Sequence, residues 1–358
     1  MGGLAVKRLL LLAALAACGG MEAAAPDAGP GEIPYAKLSD YGFFEGNGAS
    51  QQPKPGVVPF EVNAPLFSDF AAKHRFIVLP PGGKIAYSDI DKWVFPVGTI
   101  IIKTFAFEHD LRNPSLGERV IETRLLVNRD TGWTPYVYLW NDAQTEATLY
   151  VVGARVNVTW IDDSGVQQSN EYRVPNTNQC LDCHGIVGQT NIIGLRTRQQ
   201  NRLHDYGGGP ENQIDHMAAL GMFAGPVPPA AGRQTLPNPY DAASGTVETR
   251  ARAWLEANCS HCHRPGGGAG STNLYLYSDV TKPIDFGVCR VPNAAGAGSG
   301  GRHFDIVPGA PDQSVMTFRI ASTVPGIKMP EEPILLVDQK GVDVVTQWIA
   351  EMPPQTCI

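Results

Sequence analysis

"QCLDCHG", Gln179–Gly185, lies at the middle of the 358-residue chain and divides it into two textures. Before it the sequence reads as strands, and after it as short helices and Gly-rich loops. An echo, "NCSHCHR", runs from Asn258 to Arg264, with 79 residues separating Cys180 from Cys259. Each motif is two cysteines three apart followed at once by a histidine.

Upstream, "FPVGTIIIKTFAF" (Phe95–Phe107) is β-branched and aromatic. "ERVIETRLLVNRDTGWTPYVYLW" predicts two strands around the turn Arg129-Asp130-Thr131-Gly132. Tyr136, Tyr138 and Trp140 alternate with Val137 and Leu139, a pattern for a strand covered on both faces. Val156, Val158 and Trp160 alternate with Asn157 and Thr159, the period of a half-exposed strand. "DDSG" (Asp162–Gly165) is a turn. These strands predict a sandwich or barrel over residues 34–175.

Downstream, "PENQIDHMAALG" predicts a helix with Pro210 near its start and Gly221 at its stop. "TVETRARAWLEAN" puts Val247, Ala251, Trp254 and Leu255 on one helical face and leads straight into the second motif. "DQKGVDVVTQWIAEM" begins with Asp338 as N-cap and sets Val342, Val345 and Ile349 on one face beside Trp348. The fold class expected is therefore multidomain α+β. An all-β sandwich- or barrel-like domain precedes mainly helical regions: residues 176–243 around the first motif and 244–358 around the second.

The first residues stand apart. Lys7 and Arg8 precede the apolar run Leu9–Ala17, and "LAAC" (Leu15–Cys18) has the form of a bacterial lipobox. Residues 1–17 are expected to be a signal peptide, and Cys18 the lipidated first residue of the mature chain. Residues 18–33 would then be a tether. Gly19 in place of aspartate favours the outer membrane, on the periplasmic side. No later stretch has 18 uninterrupted apolar residues, so the chain is expected to be anchored rather than threaded. A net charge of −7 without a basic stripe argues against nucleic acid as a partner.

Seven cysteines are present. Cys18 is assigned to lipid and four to the motifs, so Cys289 and Cys357 remain as a candidate disulfide in an exported chain. CxxCH is the attachment signal of c-type haem. Cys180 and Cys183, and likewise Cys259 and Cys262, would hold the two porphyrins. His184 and His263 would supply the proximal iron ligands. The competing reading is one Cys₄ zinc site, which needs neither histidine and whose pairs usually lie much closer in sequence. His261 reads as a spacer. Methionine is a common sixth ligand. For the second haem the candidate is Met329 in "KMP", 66 residues after His263 and ahead of the last helix, with Met316 and Met352 weaker. The order helix, CxxCH, loop, Met-Pro, helix is similar to a class I cytochrome c domain, whose first and last helices cross, here through Trp254 and Trp348. For the first haem Met222 is preferred; Met217 has core spacing, and His204 or His216 would give a bis-histidine site. A position open to a small molecule is also allowed.

The mature chain resembles a family of exported bacterial dihaem c-type cytochromes over about residues 34–350. The stretches that carry the resemblance are "NAPLFSDFAAKHRF", "FPVGTIIIKTF", "IETRLL", "YLWNDAQTEA", "PNTNQCLDCH", "RARAWLEANCSHCHRPGG", "IVPGAPDQSVMTFRI" and "KMP". The resemblance implies haem at both motifs and single-electron transfer with an envelope redox partner protein. A peroxidase-type dihaem enzyme with an open first haem is the alternative. The β region is a candidate docking module. In it His74 and His109 are expected to be structural, and Asp69, Glu122 and Asp142 to cap turns rather than to act as catalytic acids.

Overall fold

The computed structural model describes residues 33–186, 189–331 and 333–358. The signal-peptide, lipobox and lipidated-Cys18 readings, and the tether apart from Ile33, lie outside these residues. Among the described residues no helix is long and apolar enough to cross a membrane.

Six strands form an antiparallel meander: β1 (Val57–Pro59), β2 (Ala72–Val78), β3 (Ile100–Glu108), β4 (Glu118–Arg129), β5 (Gly132–Trp140) and β6 (Ala147–Leu149). The tight β4–β5 turn falls where Asp130-Thr131 predicts it, with Arg129 opposite Gly132. Period-2 alternation divides the sheet into two apolar faces. Phe76, Ile102, Leu125, Tyr138 and Trp140 pack under the N-terminal segment that carries Leu38, Tyr41, Phe43 and Phe44. On the opposite face Phe105, Phe107, Ile121 and Val137 pack against a separate hairpin, β7 (Ala154–Ile161) with β8 (Gln167–Val174), through Val158, Trp160 and Tyr172. Thus the sheet is covered on both sides, as the alternation in β5 predicts. It does not close, because β1 and β6 stay at opposite edges.

The chain then forms α1 (Cys180–His184), the two-residue strands β9 (Gly185–Ile186) and β10 (Gln189–Thr190), α2 (Thr197–Gln200), β11 (Leu203–Asp205) paired with β12 (Pro210–Asn212), and α3 (Gln213–Ala219). Ile192, Leu195, Ile214, Met217, Met222 and Phe223 join Ile77, Trp93 and Phe95 in one cluster. The core therefore runs continuously from the sheet into the region of the first motif. The helix expected from Pro210 starts later. Asn212 is its cap, accepting from the backbone of Ile214 and Asp215, and Pro210 belongs to a strand.

In the last third, α4 (Val247–Cys259) and α6 (Gln339–Glu351) pack together, with the short α5 (Val315–Ile320) beside them. Ala251, Trp254, Leu255, Val342, Val345, Trp348 and Ile349 share one core, as their helical spacing predicts. Thr246 and Asp338 cap the two long helices. Trp254 meets α6 through its cap: its Nε1 donates to Asp338 Oδ2 at 2.6 Å. Trp348 packs edge-on to Phe286. Cys289 and Cys357 are bridged.

The expectation of mainly helical, cytochrome-like regions is overturned. The described structure is 25 % strand and 22 % helix, a mixed fold weighted to β, and its six α-helices are short. Only α4 and α6 reach 13 residues. The physical reason lies in the connecting segments. Between α3 and α4 come Pro226, Pro228, Pro229, Pro237 and Pro239, which break helical hydrogen bonding. Between α4 and α5 the chain turns repeatedly at glycines, several of them at positive φ.

Candidate functional site

The helix α1 is itself the first motif. Its Cys180 and Cys183 are one turn apart, and they line one cavity together with His184. The cavity has a volume of about 280 Å³, near the lower bound of small-molecule sites (about 300 Å³). One wall is the inner face of the sheet, including Arg75, Lys103 and Arg124; another is the segment around Leu195 and Arg196. His184 Nδ1 donates to the Asn191 carbonyl at 2.9 Å. That bond fixes the tautomer with Nε2 bare, the arrangement that orients a metal-ligating histidine. Burial pushes the His184 imidazole down to about 4, so the ring is neutral, as iron ligation requires. Cys180 turns toward the core between the sheet and the β7–β8 hairpin, and burial raises its thiol pKa.

The second motif follows from α4. Cys259 is its last residue and packs into the core of the last third, with Leu274 and Met329 against the same cluster. Burial pushes the Cys259 thiol up to about 12 and the His263 ring down to about 4. The His263 Nδ1 is buried without a well-formed hydrogen bond, although the Leu274 backbone lies beside the ring. Beside Met329 is a cavity of about 20 Å³, lined by Trp254 and Asn258 but by none of the second motif's cysteines or histidines. Met222 is a core residue: its backbone bonds to Met217 and Ile85, and it does not line the cavity of His184. His204 and His216 lie with Tyr206, whose ring stacks on His216. Neither lines the cavity.

The two motifs meet, which their separation in sequence does not foretell. Cys262 Sγ contacts the Asp182 carbonyl at 3.5 Å, and Arg264 reaches the Gly185 carbonyl at the same distance. Ligand atoms of Cys183, His261 and Cys262 all lie within 4.8 Å of one another. The Cys262 thiol and His261 hold Cys183 down to about 4 against its burial, and Cys262 is raised in turn. Sequence reading passed over His261 as a spacer, yet it is buried and lines the same cavity as His184. A Cys₄ cage does not form. Cys180 and Cys259 turn into different cores, and only one thiol of each pair faces the other motif.

The acids of the β region have structural partners, but Glu122 and Asp142 form ion pairs rather than capping turns, and of the three Asp69 binds backbone N–H groups. Asp69, buried at positive φ, accepts from the backbone N–H groups of Leu335 and Leu336. This ties the loop before β2 to the segment after Met329. Glu122 is fully buried, forks onto Arg124 and accepts from the Tyr172 hydroxyl at 2.7 Å. Asp142 pairs with Arg119 at the surface. His74 pairs with Glu118.

Comparison with protein-family models, with curated proteins and with solved structures finds no match.

Proposed function

We propose that this chain is a dihaem c-type cytochrome that passes single electrons at the bacterial cell envelope, anchored through lipidated Cys18 and working with an envelope redox partner protein. The observation that carries the reading is His184. Its Nδ1 is committed to the Asn191 carbonyl, and its ring shares a cavity with the two cysteines of its own motif. Cys180 and Cys183 would form the thioethers of the first haem and His184 would face its iron. Cys259, Cys262 and His263 would do the same for the second, with Met329 as the candidate sixth ligand. The haems would supply reversible one-electron chemistry. The chain supplies neutral imidazoles and, at His184, a fixed backbone acceptor that orients the ring, factors through which a protein tunes haem iron.

The test is covalent haem content. After export and denaturation, the pyridine haemochrome spectrum should report two haems per chain, and changing both cysteines of one motif to serine should leave one. Absence of covalent haem overturns the reading. The alternative, a peroxidase-type enzyme with an open first haem, draws support from the lining of the first cavity, which contains no methionine among the described residues. Met222 in the core gives that haem no evident partner. A high-spin ferric signal together with peroxide turnover would favour it. A third reading rests on the approach of Cys183, His261 and Cys262, a three-ligand set of the kind that holds catalytic zinc. It leaves Cys180, His184, Cys259 and His263 without a role. Stoichiometric zinc in place of haem would establish it.

A further inference from the structure

The cavity over the first motif carries positive charge that neither the cysteines nor His184 employ. Register places Arg75, Lys103 and Arg124 directly opposite one another on β2, β3 and β4, and all three line the cavity. Like charges facing each other across neighbouring strands repel. Two of the three are neutralised. Arg75 pairs with Glu61 at 2.7 Å, and Arg124 is held by the buried fork of Glu122. The middle side chain has no such partner. Among the described residues the Lys103 amine makes no hydrogen bond and no ion pair, and lies 4.8 Å from the centroid of the Phe105 ring; burial, with Arg75, Lys73 and Arg124 nearby, holds its pKa well below the usual lysine range. Arg124 lies over the same ring at 4.2 Å.

Arg196 reaches the same cavity from the segment after the first motif. Its guanidinium donates once, to the Ile90 carbonyl. Its Nε is buried without a partner, and it lies 4.8 Å from the centroid of the Tyr277 ring. The carboxylates around the cavity do not serve these two cations. Asp69 is bound by backbone N–H groups, and Glu256 by Arg198 and Ser278. Asp182 is exposed on α1. Burial without a counterion penalises charge on Lys103, and a carboxylate brought to these two side chains supplies that counterion through a charge-assisted hydrogen bond.

We propose that Lys103 and Arg196 form a carboxylate-binding subsite in the cavity over the first CxxCH motif. The carboxylate comes from one of two sources: the acidic side chains of a porphyrin attached at Cys180 and Cys183, or a free organic dicarboxylate. The first source rests on the haem reading above and the second does not.

The experiment uses the exported, full-length protein and the variants Lys103→Gln, Arg196→Gln and Lys103→Arg, with Lys340→Gln as a surface control. Covalent haem is counted first, after denaturation. Succinate binding is then followed calorimetrically against chloride at equal ionic strength, and the midpoint potentials of both haems are measured. A free-acid ligand gives saturable succinate binding that falls at least tenfold in both glutamine variants, is retained in Lys103→Arg, and leaves the potentials unmoved. A porphyrin acid gives no succinate binding, and both glutamine variants shift the midpoint of one haem only, with Lys103→Arg restoring it. Intact haem content with neither effect overturns the proposal. If no covalent haem is found, the haem reading fails and the succinate measurement alone decides the subsite.

Discussion

Gly341, in the first turn of α6, should be irreplaceable by alanine, although alanine is the better helix former. A Cβ built there would lie 2.0 Å from Trp254 Nε1, 2.3 Å from Trp254 Cε2 and 2.7 Å from Asp338 Oδ2. The tryptophan is buried in the core between α4 and α6 and is held by its 2.6 Å bond to the helix cap. Helix propensity would favour alanine by about 1 kcal/mol. Overpacking a filled core costs about 1–3 kcal/mol, and losing a hydrogen bond to a carboxylate costs about 1.5–3 kcal/mol. The net expectation is a loss of about 1.5–5 kcal/mol. Urea unfolding of Gly341→Ala, followed by tryptophan fluorescence, should therefore show a clearly lowered midpoint. The double variant with Trp254→Phe sharpens the assay, because removing the indole N–H relieves the clash. The two changes should then cost less together than the sum of the singles, a non-additivity expected only for residues in contact. A neutral or stabilising Gly341→Ala, or strict additivity with Trp254→Phe, would refute the reasoning. On the haem reading proposed above, and because α4 ends in Cys259, the same variant should also lower haem incorporation at the second motif before it affects the first.

Glu122→Gln removes the charge that neutralises Arg124 on the buried face of the sheet. Breaking a buried pair by removing one partner costs about 3–5 kcal/mol, to be read as a lowered urea midpoint. Cys289→Ser opens a bridge between residues 68 apart and should cost about 4 kcal/mol on the chain-entropy scale; a reductant should lower the wild type to the same stability and leave the variant unchanged. Asp305 is raised to about 6 by burial, against the pull of Arg290 and Arg319. A raised carboxyl contributes stability that is full below its unfolded value near 4 and is lost as pH rises through about 6. Wild-type stability should thus fall relative to Asp305→Asn by about 3 kcal/mol between pH 4 and pH 7, and parallel stability curves for the two proteins would refute this.

Much of the local structure was legible because its signals are local. β-branched and aromatic runs and a turn marked β3 and β4, alternation marked β5 and β7, the facing of α4 and α6 followed from helical spacing, and Asp338 was recognisable as a cap. The fold class departs from the expectation because the two motifs do not determine the regions around them. CxxCH specifies one helical turn, and what the rest of each region does depends on its prolines, its glycines and the surface it packs against. The region of the first motif is built on the inner face of the sheet, a surface the motif itself does not encode.

The candidate site divides along the same line. The amino-acid sequence by itself determined the donors: two CxxCH triplets, and Met329 ahead of the last helix. These depend on residue type and short spacing, which need no partner to be read. Only the tertiary structure decided what surrounds the donors, because cavities and charge rows are made by residues far apart in the chain. From the sequence the second motif is the better equipped, since it has Met329. In the folded chain the first motif has the cavity, the oriented histidine and the basic side chains Lys103 and Arg196 in its lining. The approach of Cys183 to Cys262 and His261 belongs to the same category, because it exists only where the sheet-backed half of the chain meets the end of α4.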